Sequence, residues 1–196
     1  MKKPVLLPIL TIALAAILLF GASAGLKGVA EKNQWETQLK LMRIVLPNSA
    51  EFTEEPYTGD DANIRAVYKA ENGFVVKTAV YGYAGDVTML IGVSNKGNVT
   101  GLVVTDLEET FGLGANALTD HRFLSLFLNT DGGVAIGTGA DAFSSATGSA
   151  VAATETYVDG ITGATVTSKA IARSVNSAVA IVTGADTDSG ATSWGG

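Results

Sequence analysis

Apolar residues along the chain follow three successive patterns: one unbroken run, then alternation, then a helical stripe. Residues 4–26 contain no charge. As a helix this run is about 34 Å long, enough to cross a hydrocarbon core of roughly 30 Å. Lys2 and Lys3 precede it, so the positive-inside rule predicts a cytoplasmic N-terminus and an exported remainder. A cleavable signal peptide is the rival reading, because Ala22-Ser23-Ala24 fits the small-x-small cleavage pattern. The run exceeds a usual signal core, which favours a retained single-pass transmembrane anchor over residues 1–27. Both readings place the following domain on the periplasmic or extracellular side of the plasma or inner membrane.

Past the anchor, Trp35, Leu39, Met42 and Leu46 recur at helical spacing and predict an amphipathic helix over 34–46, ended by Pro47-Asn48. Residues 48–63 are acidic and read as a loop. β-branched and aromatic residues predict strands over 66–69, 74–81, 87–94 and 98–106, the last two joined by a turn at Asn95-Lys96-Gly97. Thr119 or Asp120 can cap a short helix carrying Phe123, Leu124, Phe127 and Leu128 on its apolar face. Residues 129–156 are rich in Gly, Ala, Ser and Thr and allow a strand or two. A final helix starts at Thr162 or Gly163, carries Val166, Ala170, Ile171, Val175, Ala178, Val179 and Val182 as its stripe, and stops at Gly184. The sum is an α+β domain over 28–184, an antiparallel sheet with flanking helices, and a tail over 185–196 without periodicity.

Composition narrows the chemistry. Of 196 residues none is Cys and one is His. Disulfides, thiolate nucleophiles, Cys-ligated clusters and covalent c-type haem are excluded, and a single His argues against a His-based metal site or a Ser-His-Asp triad. No catalytic residue and no metal site is predicted. A net charge of −6 argues against a nucleic-acid surface. Paired acids such as Glu54-Glu55 and Asp60-Asp61 read as solvated loops, and His121 as a helix-start residue.

Chemistry concentrates in Asp159-Gly160-Ile161-Thr162-Gly163-Ala164-Thr165-Val166-Thr167-Ser168-Lys169. A Gly-containing turn runs here into a helix N-terminus crowded with hydroxyls. Free N–H groups and the positive end of the helix dipole make such a place fit for an anion. Gly163 and Ala164 let a phosphate approach the backbone, Thr165 offers a point of covalent attachment, and Thr162, Thr167 and Ser168 offer hydrogen bonds. Lys169, four residues after Thr165, can face the same anion. From physics alone, ordinary capping is the favoured explanation of the same residues.

The pattern Asp-x-x-Thr-Gly-Ala-Thr resembles the attachment signature of the covalent FMN-binding domain family, a domain shared by the Rnf complex, in its G subunit, and by the sodium-pumping NADH:quinone oxidoreductase, in its C subunit. The resemblance implies that Thr165 carries FMN through a phosphoester and that Asp159 is read by a flavin transferase. Glu109-Thr110-Phe111-Gly112-Leu113-Gly114 is similar to the family's Glu-Thr-Pro-Gly-Leu-Gly loop and implies close contact with the flavin ring through Glu109, Thr110, Gly112, Leu113 and Gly114. Phe111 stands where the family has proline, and either stacks on the ring or fills the core. Gly82-Tyr83-Ala84-Gly85 resembles a further family segment.

These resemblances imply an electron carrier rather than a complete enzyme: a redox subunit of a membrane-bound, ion-translocating ferredoxin:NAD⁺ oxidoreductase, with the other membrane subunits of that complex as partners. The length and single anchor are more similar to the Rnf branch. Alternatives are a subunit of the sodium-pumping quinone reductase, a free-standing extracellular flavoprotein, and, in another class, a non-redox surface or adhesin protein suggested by the Gly/Ala/Thr-rich stretch.

Overall fold

The computed structural model describes residues 12, 13, 15, 32–107, 119–137 and 156–184. The bulk of the expected anchor, the 109–114 segment and the tail lie outside them. Among the described residues no helix is long and apolar enough to cross a membrane. The chain divides into two compact units, residues 1–40 and 41–196.

In the first unit residues 12, 13, 15 and 32–40 are helical. The second unit begins with helix α1, residues 41–45. Leu46 still donates its N–H to the Met42 carbonyl at 2.9 Å, and Asn48, with a φ of 63°, turns the chain away. Five strands then form a meander in sequence order: β1 (Thr53–Glu55), β2 (Ile64–Ala70), β3 (Gly73–Tyr81), β4 (Asp86–Ser94) and β5 (Val99–Leu107), every neighbour antiparallel. β1 departs from the sequence reading. It lies inside the predicted acidic loop, where Glu55 pairs with Lys69 across the strands at 3.2 Å. Short, polar edge strands carry little periodic signal. The Asn95-Lys96-Gly97 turn closes as expected, with the Gly97 N–H on the Ser94 carbonyl at 2.9 Å and Gly97 at φ 87°.

The sheet is buried on both faces, which is why its strands read as runs rather than as clean alternation. One face presents Val76, Met89, Ile91 and Val93 to the long helix α3 (Thr165–Thr183), whose Ile171, Val175, Ala178 and Val179 complete the same core. The other face meets the end of α1. Gly92 and Gly101 pair across β4 and β5, and a side chain on Gly101 would strike the Val45 backbone at 2.7 Å. Thr100 Oγ1 donates to the Val45 carbonyl at 2.6 Å. Met42, Val45 and Leu46 are consequently buried, while Ile44 on the opposite side is exposed.

Helix α2 (His121–Ser125) is capped as expected by Asp120, whose carboxylate accepts from the Arg122 and Phe123 N–H groups. It ends earlier than its apolar residues suggest. The chain turns over 126–129, so Phe123 and Phe127 enter the core edge to face at 5.3 Å while Leu128 stays exposed. The small-residue stretch yields a two-stranded parallel sheet, β6 (Val134–Ile136) with β7 (Thr156–Val158), an addition to the expected antiparallel architecture. Asn176 of α3 holds its edge: Oδ1 accepts the Val134 N–H at 2.9 Å and Nδ2 donates to the Val134 carbonyl at 3.0 Å.

Candidate functional site

β7 delivers the chain directly into the residues singled out by sequence. Gly160 packs against Ile136 so closely that a Cβ would lie 2.7 Å from its Cγ2. Residues 161–164 form a tight turn, closed by the Ala164 N–H on the Ile161 carbonyl at 2.9 Å. Gly163 has a φ of 82°, a left-handed conformation that costs a β-substituted residue energy. The same φ corrects the expected helix start. A residue at positive φ cannot belong to a right-handed helix, so α3 begins at Thr165 and Ala164 takes the cap position.

Alanine has no acceptor to offer, so the cap residue's own side chain makes no capping hydrogen bond to α3. Helix geometry leaves the first-turn N–H groups pointing out of the N-terminus, with the helix dipole behind them. Thr165, the first helical residue, is exposed, as are Thr162 and Asp159. Lys169, one turn later on the same side of the helix, is exposed as well. An exposed threonine, a helix start whose cap residue offers no acceptor, a glycine that opens the approach and a nearby ammonium suit a phosphate group.

Two expected hydrogen-bond donors serve the framework instead. Thr167 and Ser168 are fully buried. Ser168 Oγ accepts the Ile161 N–H at 3.2 Å and donates to the Ala164 carbonyl at 2.9 Å, so it ties the turn to the helix. Residues 109–114 fall outside the described residues, but the strand that leads to them does not. Leu107 pairs with Val87, next to the Tyr81–Asp86 pair that closes β3 and β4. α3 runs from this end of the sheet to the other: Arg173 Nη2 donates to the Tyr81 carbonyl at 3.4 Å, and Thr183 packs on the Gly97 turn. The N-terminus of α3, the Gly82–Gly85 turn and the end of β5 therefore gather at one end of the sheet. Gly82 closes that turn by donating its N–H to the Gly85 carbonyl at 2.8 Å.

Sequence reasoning missed Arg173 and Asn176, which sit on a helix face read only for its apolar stripe. Burial pushes the Arg173 guanidinium below its usual pKa.

A family model for the FMN-binding domain matches residues 82–180, a span that contains the Gly82–Gly85 turn, residues 109–114 and the turn into α3. The G subunit of the ion-translocating oxidoreductase complex of Methanosarcina acetivorans is 32% identical over 74% of this chain and 75% of its own length. The G subunit of the Na⁺-translocating ferredoxin:NAD⁺ oxidoreductase complex of Acetobacterium woodii is 27% identical over 79% and 78%. The G subunit of the proton-translocating ferredoxin:NAD⁺ oxidoreductase complex of Clostridium ljungdahlii is 29% identical over 79% and 77%.

Proposed function

The chain belongs to the FMN-binding domain family, and from that premise we propose that it is the electron-carrier subunit of a membrane-bound, ion-translocating ferredoxin:NAD⁺ oxidoreductase, with FMN held as a phosphoester on Thr165. The observation that carries the reading is the exposed Thr165 at a helix start whose cap residue, Ala164, offers no acceptor, reached past a left-handed Gly163.

FMN supplies the electron uptake and release. The chain binds and orients it. First-turn N–H groups and the α3 dipole stabilise the phosphodiester charge, Lys169 adds a cation on the same side, and Ser168 keeps the Ile161–Ala164 turn in register with the helix. Asp159, exposed six residues before Thr165, is available to a flavin transferase during maturation. A covalent link suits an exported carrier, because a flavin lost outside the cell is not recovered. The uncharged 4–26 run, with Lys2 and Lys3 before it, supports a single-pass anchor with a cytoplasmic N-terminus. The other membrane subunits of the complex are the partners, as the names of the relatives suggest.

The test is intact-mass measurement of the protein made in a host with a flavin transferase, together with ultraviolet fluorescence of the denatured band. Mass added by one FMN and a fluorescent band are expected. A colourless protein of unmodified mass overturns covalent attachment.

A further inference from the structure

Among the described residues, Arg173 has no carboxylate as a partner. Nη2 reaches the Tyr81 carbonyl at 3.4 Å, the long end of hydrogen-bond range. Nε is buried and has no partner. Shut off from water in this way, it carries a desolvation cost that an acceptor on a ligand would relieve. The planar fork of N–H donors on Arg173 suits two adjacent acceptor atoms, and among the described residues the Tyr81 carbonyl is the one acceptor it meets.

Its position indicates which anion. Thr165, Lys169 and Arg173 follow at steps of four and share one stripe of α3. Thr165 and Arg173 are separated by about 12 Å along the helix axis, and helical side chains lean toward the N-terminus, which shortens the gap. A ribityl chain running from a phosphate on Thr165 covers a separation of that order. The ring it carries has one edge, N1 and C2=O, that presents two adjacent acceptors and gains negative charge on reduction.

We propose that the Arg173 guanidinium faces the N1–C2=O edge of the flavin and stabilises the charge that edge gains, raising the reduction potential of the cofactor. This rests on FMN being carried by Thr165. The exposed Tyr81 and Tyr83 border the same end of the sheet.

Full-length Arg173→Gln and Arg173→Lys proteins, made alongside wild type with the transferase, test it through attached FMN by intact mass, midpoint potential by spectroelectrochemistry, and affinity for sulfite. The sulfite lone pair forms an S–N5 bond, and the displaced electron pair moves onto the N1–C2=O edge. Sulfite affinity therefore reports positive charge at that edge without electron transfer. Arg173→Gln is expected to keep its flavin, bind sulfite roughly tenfold more weakly, and shift its potential negative by about 59 mV for a tenfold effect on a one-electron couple. Arg173→Lys, which keeps the charge without the fork, should fall between. Full flavin content with unchanged sulfite affinity and potential overturns the proposal. So does loss of flavin with an unchanged potential in the fraction that remains, since the guanidinium would then serve attachment. Wild-type protein without flavin overturns the attachment reading, and this one with it.

Discussion

Ser168 Oγ accepts a hydrogen bond from the Ile161 N–H at 3.2 Å across seven residues of chain. The same oxygen donates to the Ala164 carbonyl at 2.9 Å. One buried hydroxyl thereby joins the strand exit, the turn and the first turn of α3, and fixes where Thr165 stands. Thr165 itself makes no part of this clamp.

Replacing Ser168 by Ala should loosen the clamp without touching the attachment atom. The Ile161 N–H loses its acceptor, at a cost of about 1–3 kcal/mol. Thermal unfolding should register that loss, and the fraction of protein carrying flavin should fall although Thr165 is present. Unchanged stability and full attachment would show that the turn holds its shape by packing alone.

Gly101 is required by contact rather than by conformation. An added Cβ would lie 2.7 Å from Val45 Cα and from the Val45 carbonyl oxygen, backbone atoms that cannot rotate away. Gly101→Ala is expected to destabilise the domain by about 1–3 kcal/mol and to speed proteolysis after residue 46. The same substitution at Gly184, where nothing lies within 4 Å, meets no such wall, though its φ of 67° still penalises a side chain. Urea unfolding of the Gly101→Ala protein measures the contact.

Asn176 replaces a strand neighbour. It satisfies both backbone groups of Val134, so Asn176→Ala strips two hydrogen bonds at once from the edge of β6. A loss of about 2 kcal/mol is expected, confined to β6 and β7. Hydrogen exchange should accelerate at the Val134 and Gly137 amides while β3 and β4 remain protected. Uniform acceleration across the sheet would contradict a local role.

Much of this is legible in the sequence because the signals are local. The four longer strands, the Asn95–Gly97 turn, the Asp120 cap and the Gly184 stop each follow from a few adjacent residues, and each stands within one or two residues of expectation. What escapes is set by contacts between distant segments. β6 and β7 are three residues each and exist because they pair with one another and with Asn176. Leu128 reads as core until the chain turns at Asn129, whose φ is 63°. A Thr-Gly pair looks like a cap and places the start of α3 too early, whereas the left-handed Gly163 marks the turn before one. Within the site, composition identifies the hydroxyls but not their directions. Thr165 and Thr162 face solvent, while Thr167 and Ser168 face the core, a split that follows from which side of α3 packs on the sheet.

That split makes the four hydroxyls separable by substitution. Thr165 is exposed and β-branched, so Thr165→Val keeps its shape and should alter stability by no more than about 0.5 kcal/mol. It removes the hydroxyl proposed to carry the flavin, and the prediction is a folded protein of unmodified mass, colourless after denaturation. Thr162→Val, one residue before the left-handed glycine, should retain covalent flavin, since at most a hydrogen bond of about 1 kcal/mol is lost. Asp159→Ala should also give unmodified protein, because the transferase loses its recognition carboxylate while the Thr165 hydroxyl stays in place. A transferase supplied in excess then distinguishes the two failures: it should restore part of the flavin on Asp159→Ala and none on Thr165→Val. Flavin that survives denaturation on the Thr165→Val protein would move the attachment to another hydroxyl. Thr162 would be the candidate, since Thr167 and Ser168 are buried beneath the helix.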